Sequence, residues 1–259
     1  MSGAFPSASN TGVPAGVSLT AYTGPMTVTT AGTVIDAKDI KGSLVIQAAN
    51  VTVSRSKVTG NIDASGSGAS VAITDTEVNG GTSNMPAIGY SNYTMTRVNV
   101  YGARISVMCD QNCVIQDSWL HGQYLAPGSN WHVNGFISNG GSNMKLVHNT
   151  LACEPGDNGQ GGGCTGPAAT FGDFEAVKGV TYDQNLFAAG PGSYCLYGGN
   201  DPGKPFGTAS TGIVVTNNVF QRGANSKCAY YGPVVSYDRS ASGNVWTNNT
   251  WSDGTILNP

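Results

Sequence analysis

The phrase Ser142-Asn-Met-Lys-Leu-Val-His-Asn-Thr-Leu151 recurs in degenerate form along almost the whole chain, and no helical phrase separates the copies. Its third, fifth and tenth places are apolar, and its eighth is often Asn or Ser. The fifth-place residues are Ile35, Val53, Ile73, Met95, Ile115, Leu146, Tyr182, Val215 and Trp246; the tenth-place residues are Ile40, Val58, Val78, Val100, Leu120, Leu151, Phe187, Phe220 and Trp251. Short alternating strands returning at periods of about 20 residues and upward predict a parallel β-helix, in which each repeat buries its inward face on its neighbours. The reading is therefore all-β, with about nine coils at about 4.8 Å each, a rod of roughly 43 Å with a long side wall. A continuous repeat also argues for one elongated domain, placed at 31–259. Residues 1–30, with Pro6, Pro14 and Pro25, do not fit the repeat and are assigned to an N-terminal cap over the open edge and core of the first coil.

The repeat changes character along the chain. Third-place residues Val51, Val71, Tyr93 and Cys113 lie only 20 to 22 apart, whereas Met144, Val180, Ile213 and Asn244 follow at wider intervals. The extra residues fall in four arms: 122–131, 153–167, 188–193 with 202–210, and 222–232. Insertions in a solenoid become loops on one side, and a groove is built there. In these wider repeats Asn149, Asn185, Asn218 and Asn249 share the eighth place and predict a stacked amide ladder. Phe187, Phe220 and Trp251 predict a core stack rather than a sugar platform.

Only 10% of residues are charged and the net charge is −3, which argues against the basic stripe of a nucleic-acid binder. No apolar run is long enough to span a membrane, and Met1-Ser-Gly-Ala-Phe-Pro6 lacks the basic start and apolar centre of a secretory signal. The six cysteines point instead to an oxidising setting and three disulfides. Cys195 and Cys228 each follow a third-place residue by fifteen positions, which predicts one column and a separation of about 4.8 Å, inside the disulfide range of about 4.4–6.8 Å. Cys153 and Cys164 bracket a Gly-rich arm, and closing it removes about 3 kcal/mol of unfolded-state entropy in the loop model. Cys109 and Cys113 pinch a corner.

Four acids, Asp110, Asp173, Asp201 and Asp238, end the second strand of their coils. One or two coil steps, about 5 and 10 Å, bracket the carboxylate spacings of retaining and inverting glycosidases. The competing reading, which weighs more, is that each caps the turn leaving its strand. Asp173, Asp201 and Asp238 are the candidate catalytic acids, with His132 as a base that Lys178, Lys204 or Arg222 could accompany by neutralising a uronic carboxylate. His121 and His132 flank the first arm; His148 falls at a strand end with Arg55, Asp75, Arg97 and Asp117 in the same place. Tyr124, Trp131, Tyr194, Tyr197, Tyr230, Tyr231 and Tyr237 gather in or beside the arms, where flat rings next to polar groups suit sugars. Of these, Trp131, Tyr124, Tyr197 and Tyr230, with Arg222 and Lys204, are the candidate binding residues. An outward column opening with Thr52, Thr74, Thr94 and Thr96 evokes an ice-binding face, but Gln116, Lys145 and Asp183 break it. No organic cofactor is expected, and Ca2+ is the one ion for which room is left.

The entry phrase Asn10-Thr-Gly-Val-Pro-Ala-Gly16, Thr33-Val-Ile-Asp36, Asp117-Ser-Trp-Leu-His-Gly122 and Asn134-Gly-Phe-Ile-Ser-Asn-Gly-Gly-Ser-Asn143 resemble the right-handed parallel β-helix proteins of the pectate-lyase-like superfamily, and most closely a group seen in actinobacteria and their phages. The resemblance covers the chain from Asn10 to the last coil. It implies a right-handed, single-stranded helix and contact with extracellular or cell-surface polysaccharide, because the superfamily includes pectate lyases, polygalacturonases and phage tail spikes. Neither the compact aspartate motif of polygalacturonases nor the arginine-bearing phrase of pectate lyases is present, so no catalytic residue transfers. The expectation is an extracellular protein, a phage tail or receptor-binding component contacting host envelope glycan, with a homotrimer or virion tail proteins as implied partners. The alternative is a secreted polysaccharide lyase or glycoside hydrolase.

Overall fold

The structure, a computed structural model, describes residues 4–259; the first three residues of the expected cap lie outside them. It is all-β apart from a single 3-10 turn at Gly207–Ala209, and none of its helices is long and apolar enough to cross a membrane. Every pairing between its strands is parallel, and each strand pairs with its counterpart one repeat away. Three long sheets result. The first has ten strands, from Thr20–Ala21 to Thr250–Trp251. The second runs from Thr27–Val28 to Gly232–Val235 and the third from Val34–Asp36 to Val245–Thr247. Strand Pro86–Thr96 bends across both, pairing through Ile88 in the second sheet and Met95 in the third. This arrangement is compatible with a parallel β-helix. Pairing already begins at Thr20 and Thr27, while Phe5 and Gly12 lie along the flank, Phe5 stacking on His148 at 5.8 Å and Gly12 donating to the Arg97 carbonyl at 2.9 Å.

The register matches the repeat residue for residue. All nine fifth-place residues, Ile35 through Trp246, pair in sequence in the third sheet. All nine tenth-place residues, Ile40 through Trp251, pair in sequence in the first. Every member of both rows up to the last repeat is buried, which is why these letters are fixed to apolar types. Phe187 and Phe220 stack at 4.3 Å with planes 4° apart, and Trp251 is only partly covered because it closes the row.

Between these sheets the chain turns a sharp corner at the seventh place. Ala37, Arg55, Asp75, Arg97, Asp117, His148, Gln184, Asn217 and Asn248 all have φ between 45° and 57°. A left-handed residue costs roughly 1–2 kcal/mol when it is not glycine, so the corner needs compensation from its surroundings. The eighth-place side chain, pointing inward, supplies it. Asn185 receives hydrogen bonds on Oδ1 from the Asn149 backbone N–H and Nδ2, both at 2.9 Å, while its own Nδ2 donates to the Leu146 carbonyl and to Asn218 Oδ1. Both donors and both lone pairs of the amide are used. Asn149, Asn185, Asn218 and Asn249 form the expected ladder, each fully buried. In earlier repeats Ser56, Thr76 and Ser118 take the place, their hydroxyls donating to carbonyls of their own repeat and accepting from the amides of Lys38, Ser56 and Val98 respectively.

The three disulfides form as Cys109–Cys113, Cys153–Cys164 and Cys195–Cys228, with Cα separations of 6.3, 5.8 and 6.1 Å. The last differs in register from the expectation. Tyr194 pairs with Gly232 and Leu196 with Val234, which puts Cys195 opposite Pro233 rather than Cys228. Cys228 lies instead in the arm before that strand, so the bridge ties the arm to the sheet rather than one strand to the next.

Candidate functional site

The wider repeats bring four segments together along the second sheet. Gly163 donates to the Trp131 carbonyl at 2.9 Å, Ser193 to Thr165 at 3.0 Å, Tyr230 to Gly192 at 2.8 Å and Tyr231 to Ser193 at 3.0 Å. His132 opens the strand His132–Ser138 and stands directly opposite Gly163. Close backbone approach is required at two points: a Cβ on Gly162 would meet the Ser129 carbonyl at 2.3 Å, and one on Gly166 the Tyr194 carbonyl at 2.3 Å. The result is a cleft of about 550 Å³ lined by His132, Asp157, Thr165, Ser193, Tyr197, Tyr230 and Tyr231, with the Gly161–Gly163 backbone as part of its wall. Two disulfides hold its sides, Cys153–Cys164 fastening the arm that carries Asp157 and Cys195–Cys228 the arm that carries Tyr230 and Tyr231.

The rings are arranged around one another. Tyr230 and Tyr231 meet edge to face at 4.7 Å, Tyr194 and Tyr197 at 5.6 Å, and Tyr194 lies 5.7 Å from Tyr231. Tyr230 and Tyr231 are 67% and 62% exposed, an unusual state for adjacent large aromatics. Burial raises the Tyr197 phenol above its ordinary range, opposed by a hydrogen bond with Ser193 and reinforced by Tyr194, Asp201 and Tyr231. It is a neutral hydrogen-bonding group at physiological pH.

Of the candidates from sequence, His132, Tyr197 and Tyr230 meet in this cleft. Trp131 adjoins it, packed edge to face on Tyr124 at 6.3 Å with the Arg104 guanidinium 6.0 Å from its ring centre. Lys204 pairs with Asp173 at 2.8 Å and lies 4.8 Å from the Phe171 ring centre; Phe171 in turn touches Tyr197. Arg222 is turned elsewhere, pairing with Asp253 at 2.6 Å and covering Trp251. Asp201 and Asp238 each accept from a backbone amide two residues on, Gly203 and Ser240, both at 2.8 Å, as turn-capping acids do. The Ser240 hydroxyl and amide also hold the exposed Asp238 carboxyl below its ordinary pKa. The expected acidic row is interrupted, because Phe206 bonds the Gly172 carbonyl and Gly207 packs on the Asp201 backbone. His121 stacks on Trp119 at 3.4 Å and bonds Asn99 at 2.8 Å, and burial lowers its pKa. His148 pairs with Asp117 at 2.6 Å on the flank.

Asp110 belongs to a second groove of about 600 Å³ with Asp63, Met85, Tyr90 and Asn92, in the compact half. Burial first, and then Glu175, raises the Asp110 pKa. One aromatic ring, Tyr90, faces that groove, against three in the cleft. Sequence reading passed over Asp157, Thr165 and Ser193. Asp157 sits in a Gly-rich arm with no repeat letter, and only the fold shows which arm residues turn inward. Among the described residues, no group of three or more His, Cys, Asp or Glu is placed to hold a metal ion. No family model, curated protein or solved structure matches the chain.

Proposed function

We propose that the protein is an extracellular glycan-binding, right-handed parallel β-helix of about nine coils, with its sugar site in the cleft between His132 and Tyr231. One observation carries the reading: four successive wide repeats, paired backbone to backbone, deliver Tyr197, Tyr230 and Tyr231 to a single cleft beside the hydroxyls of Thr165 and Ser193. Rings that stack on the apolar faces of sugars, beside hydroxyls that meet their rims, are the usual composition of a glycan site. The exposure of Tyr230 and Tyr231 leaves ring surface free for a ligand. Three disulfides support an oxidising, extracellular setting. Together with the resemblance to phage and actinobacterial β-helix proteins, they support a tail or receptor-binding role on the host envelope.

The cleft supports binding over hydrolysis. Among the described residues Asp157 is the one carboxylate of its lining, whereas glycoside hydrolysis by the common mechanisms needs two facing carboxylates. The test is to incubate the protein with envelope glycans and anionic polysaccharides, measuring both retention and new chain ends. Retention that Tyr231→Ala and Tyr230→Ala each weaken at least several-fold, without cleavage, is expected. New reducing ends or unsaturated uronate would overturn a purely binding role, and absence of retention on every glycan would overturn the glycan reading itself.

A further inference from the structure

We infer that the cleft selects glycans bearing a free amino group over uronate-bearing ones. The inference rests on the glycan reading and adds the charge of the sugar. Among the described residues the lining holds one carboxylate, Asp157, one imidazole, His132, and no Lys or Arg. Of the nearby cations, Lys204 is paired with Asp173, and Arg104, which keeps its charge, is turned to the His132 carbonyl at 2.9 Å and the Trp131 ring. A sugar carboxylate entering the cleft would meet Asp157 and the electron-rich faces of tyrosines, with the His132 imidazole, among the described residues, the one lining group able to carry positive charge. A sugar ammonium meets the opposite situation. Tyrosine faces attract a cation within about 6 Å of the ring centre. The near-perpendicular pairs, Tyr230 with Tyr231 at 87° and Tyr194 with Tyr197 at 85°, place faces and edges toward the same space. Asp157 adds a full negative charge, and its Oδ1 bond to the Gly159 amide at 2.8 Å fixes the carboxylate on the arm. Thr165 and Ser193 remain for sugar hydroxyls. The volume of about 550 Å³ falls within the range of small-molecule sites, about 300–1,000 Å³.

The experiment is calorimetric titration of the intact, oxidised protein with three short oligomers: a fully deacetylated glucosamine oligomer at a pH where its amines are charged, the same oligomer N-acetylated, and an oligogalacturonate. The amine-bearing oligomer is expected to bind about tenfold more tightly than its acetylated form, the sum of a cation–π contact and an exposed charge pair at about 0.7 kcal/mol each. The oligogalacturonate is expected to give no measurable heat. Asp157→Asn should reduce the amine advantage about threefold, added salt should act in the same direction, and Tyr231→Ala should weaken both glucosamine oligomers. Circular dichroism of each variant, unchanged from wild type, shows that the fold is kept. Equal binding of the acetylated oligomer, tighter binding of the oligogalacturonate, or an amine advantage untouched by Asp157→Asn would overturn the selectivity while leaving a glycan site in place. The same holds if none of the three binds but envelope glycans do. If no glycan of any charge binds, the glycan reading falls first and the selectivity with it.

Discussion

The compact repeats before Cys113 and the wide repeats after it turn the same corner by different chemistry. In the first half the inward corner residue is Ser56 or Thr76, and on the outside an ion pair bridges successive repeats: Arg55 with Asp36, and Arg97 with Asp75 at 2.6 Å. From Asn149 onward the corner is bridged from within by the amide ladder, in which Asn185 and Asn218 use every side-chain donor and both lone pairs, next to the Phe187–Phe220 stack. Each hydroxyl accepts one amide from the preceding repeat and donates to a carbonyl of its own, whereas Asn185 bonds the repeats on both sides. The half carrying the long arms and the cleft is the half with the denser buried side-chain bonding between repeats at this corner.

The largest effect is expected at Asn185. Replacing it by Ala leaves the Asn149 amide groups and the Leu146 carbonyl unpaired in the core, and at about 1–3 kcal/mol for each unsatisfied group the expected loss is about 4 kcal/mol in denaturant unfolding. Replacing both Cys195 and Cys228 by Ser should cost about 3 kcal/mol and loosen the Tyr230–Tyr231 arm, seen as faster hydrogen exchange there while the sheets keep theirs. Ser56→Ala, which removes the acceptor of the Lys38 amide, should cost only about 1 kcal/mol. Equal losses at Asn185 and Ser56 would dissolve the contrast between the halves. The smallest effect is acid sensitivity of the first half. Arg55 first, then Ser54, depress the Asp36 carboxyl to about 2, below its unfolded value of about 3.9. Its contribution is therefore present above about pH 4 and lost as pH falls through about 2. A carboxyl NMR titration of Asp36 with a midpoint near that of an ordinary aspartate would remove the outer ion pair from the account.

Much of this frame is legible in the sequence because the letters inside a strand have one solution. Ile35 to Trp246 and Ile40 to Trp251 face a core one repeat deep, so their identities repeat and their register follows. The ladder was legible for the same reason. The arms were not. Cys228 was counted into a column with Cys195, yet an arm of irregular path displaces it from the register, and spacing along the chain stops measuring position once the chain leaves the sheet. The acidic row failed similarly, with the turn at Phe206 and Gly207 inserted between Gly172 and Asp201. One outer feature escaped because its side chains carry no apolar signal: Asn92, Asn112 and Asn143, all at φ near 57°, bond one another in an exposed ladder at the start of the third sheet.

The claim on which the account turns is that the cleft of the wide repeats, and not the acidic groove of the compact ones, receives the sugar. Crystals of the protein soaked with an oligosaccharide it retains test this directly. The account predicts ligand density against Tyr230 and Tyr231, within hydrogen-bonding reach of Thr165 or Ser193. Density confined to the groove of Asp63, Tyr90 and Asp110, with the tyrosine cleft empty, would contradict it.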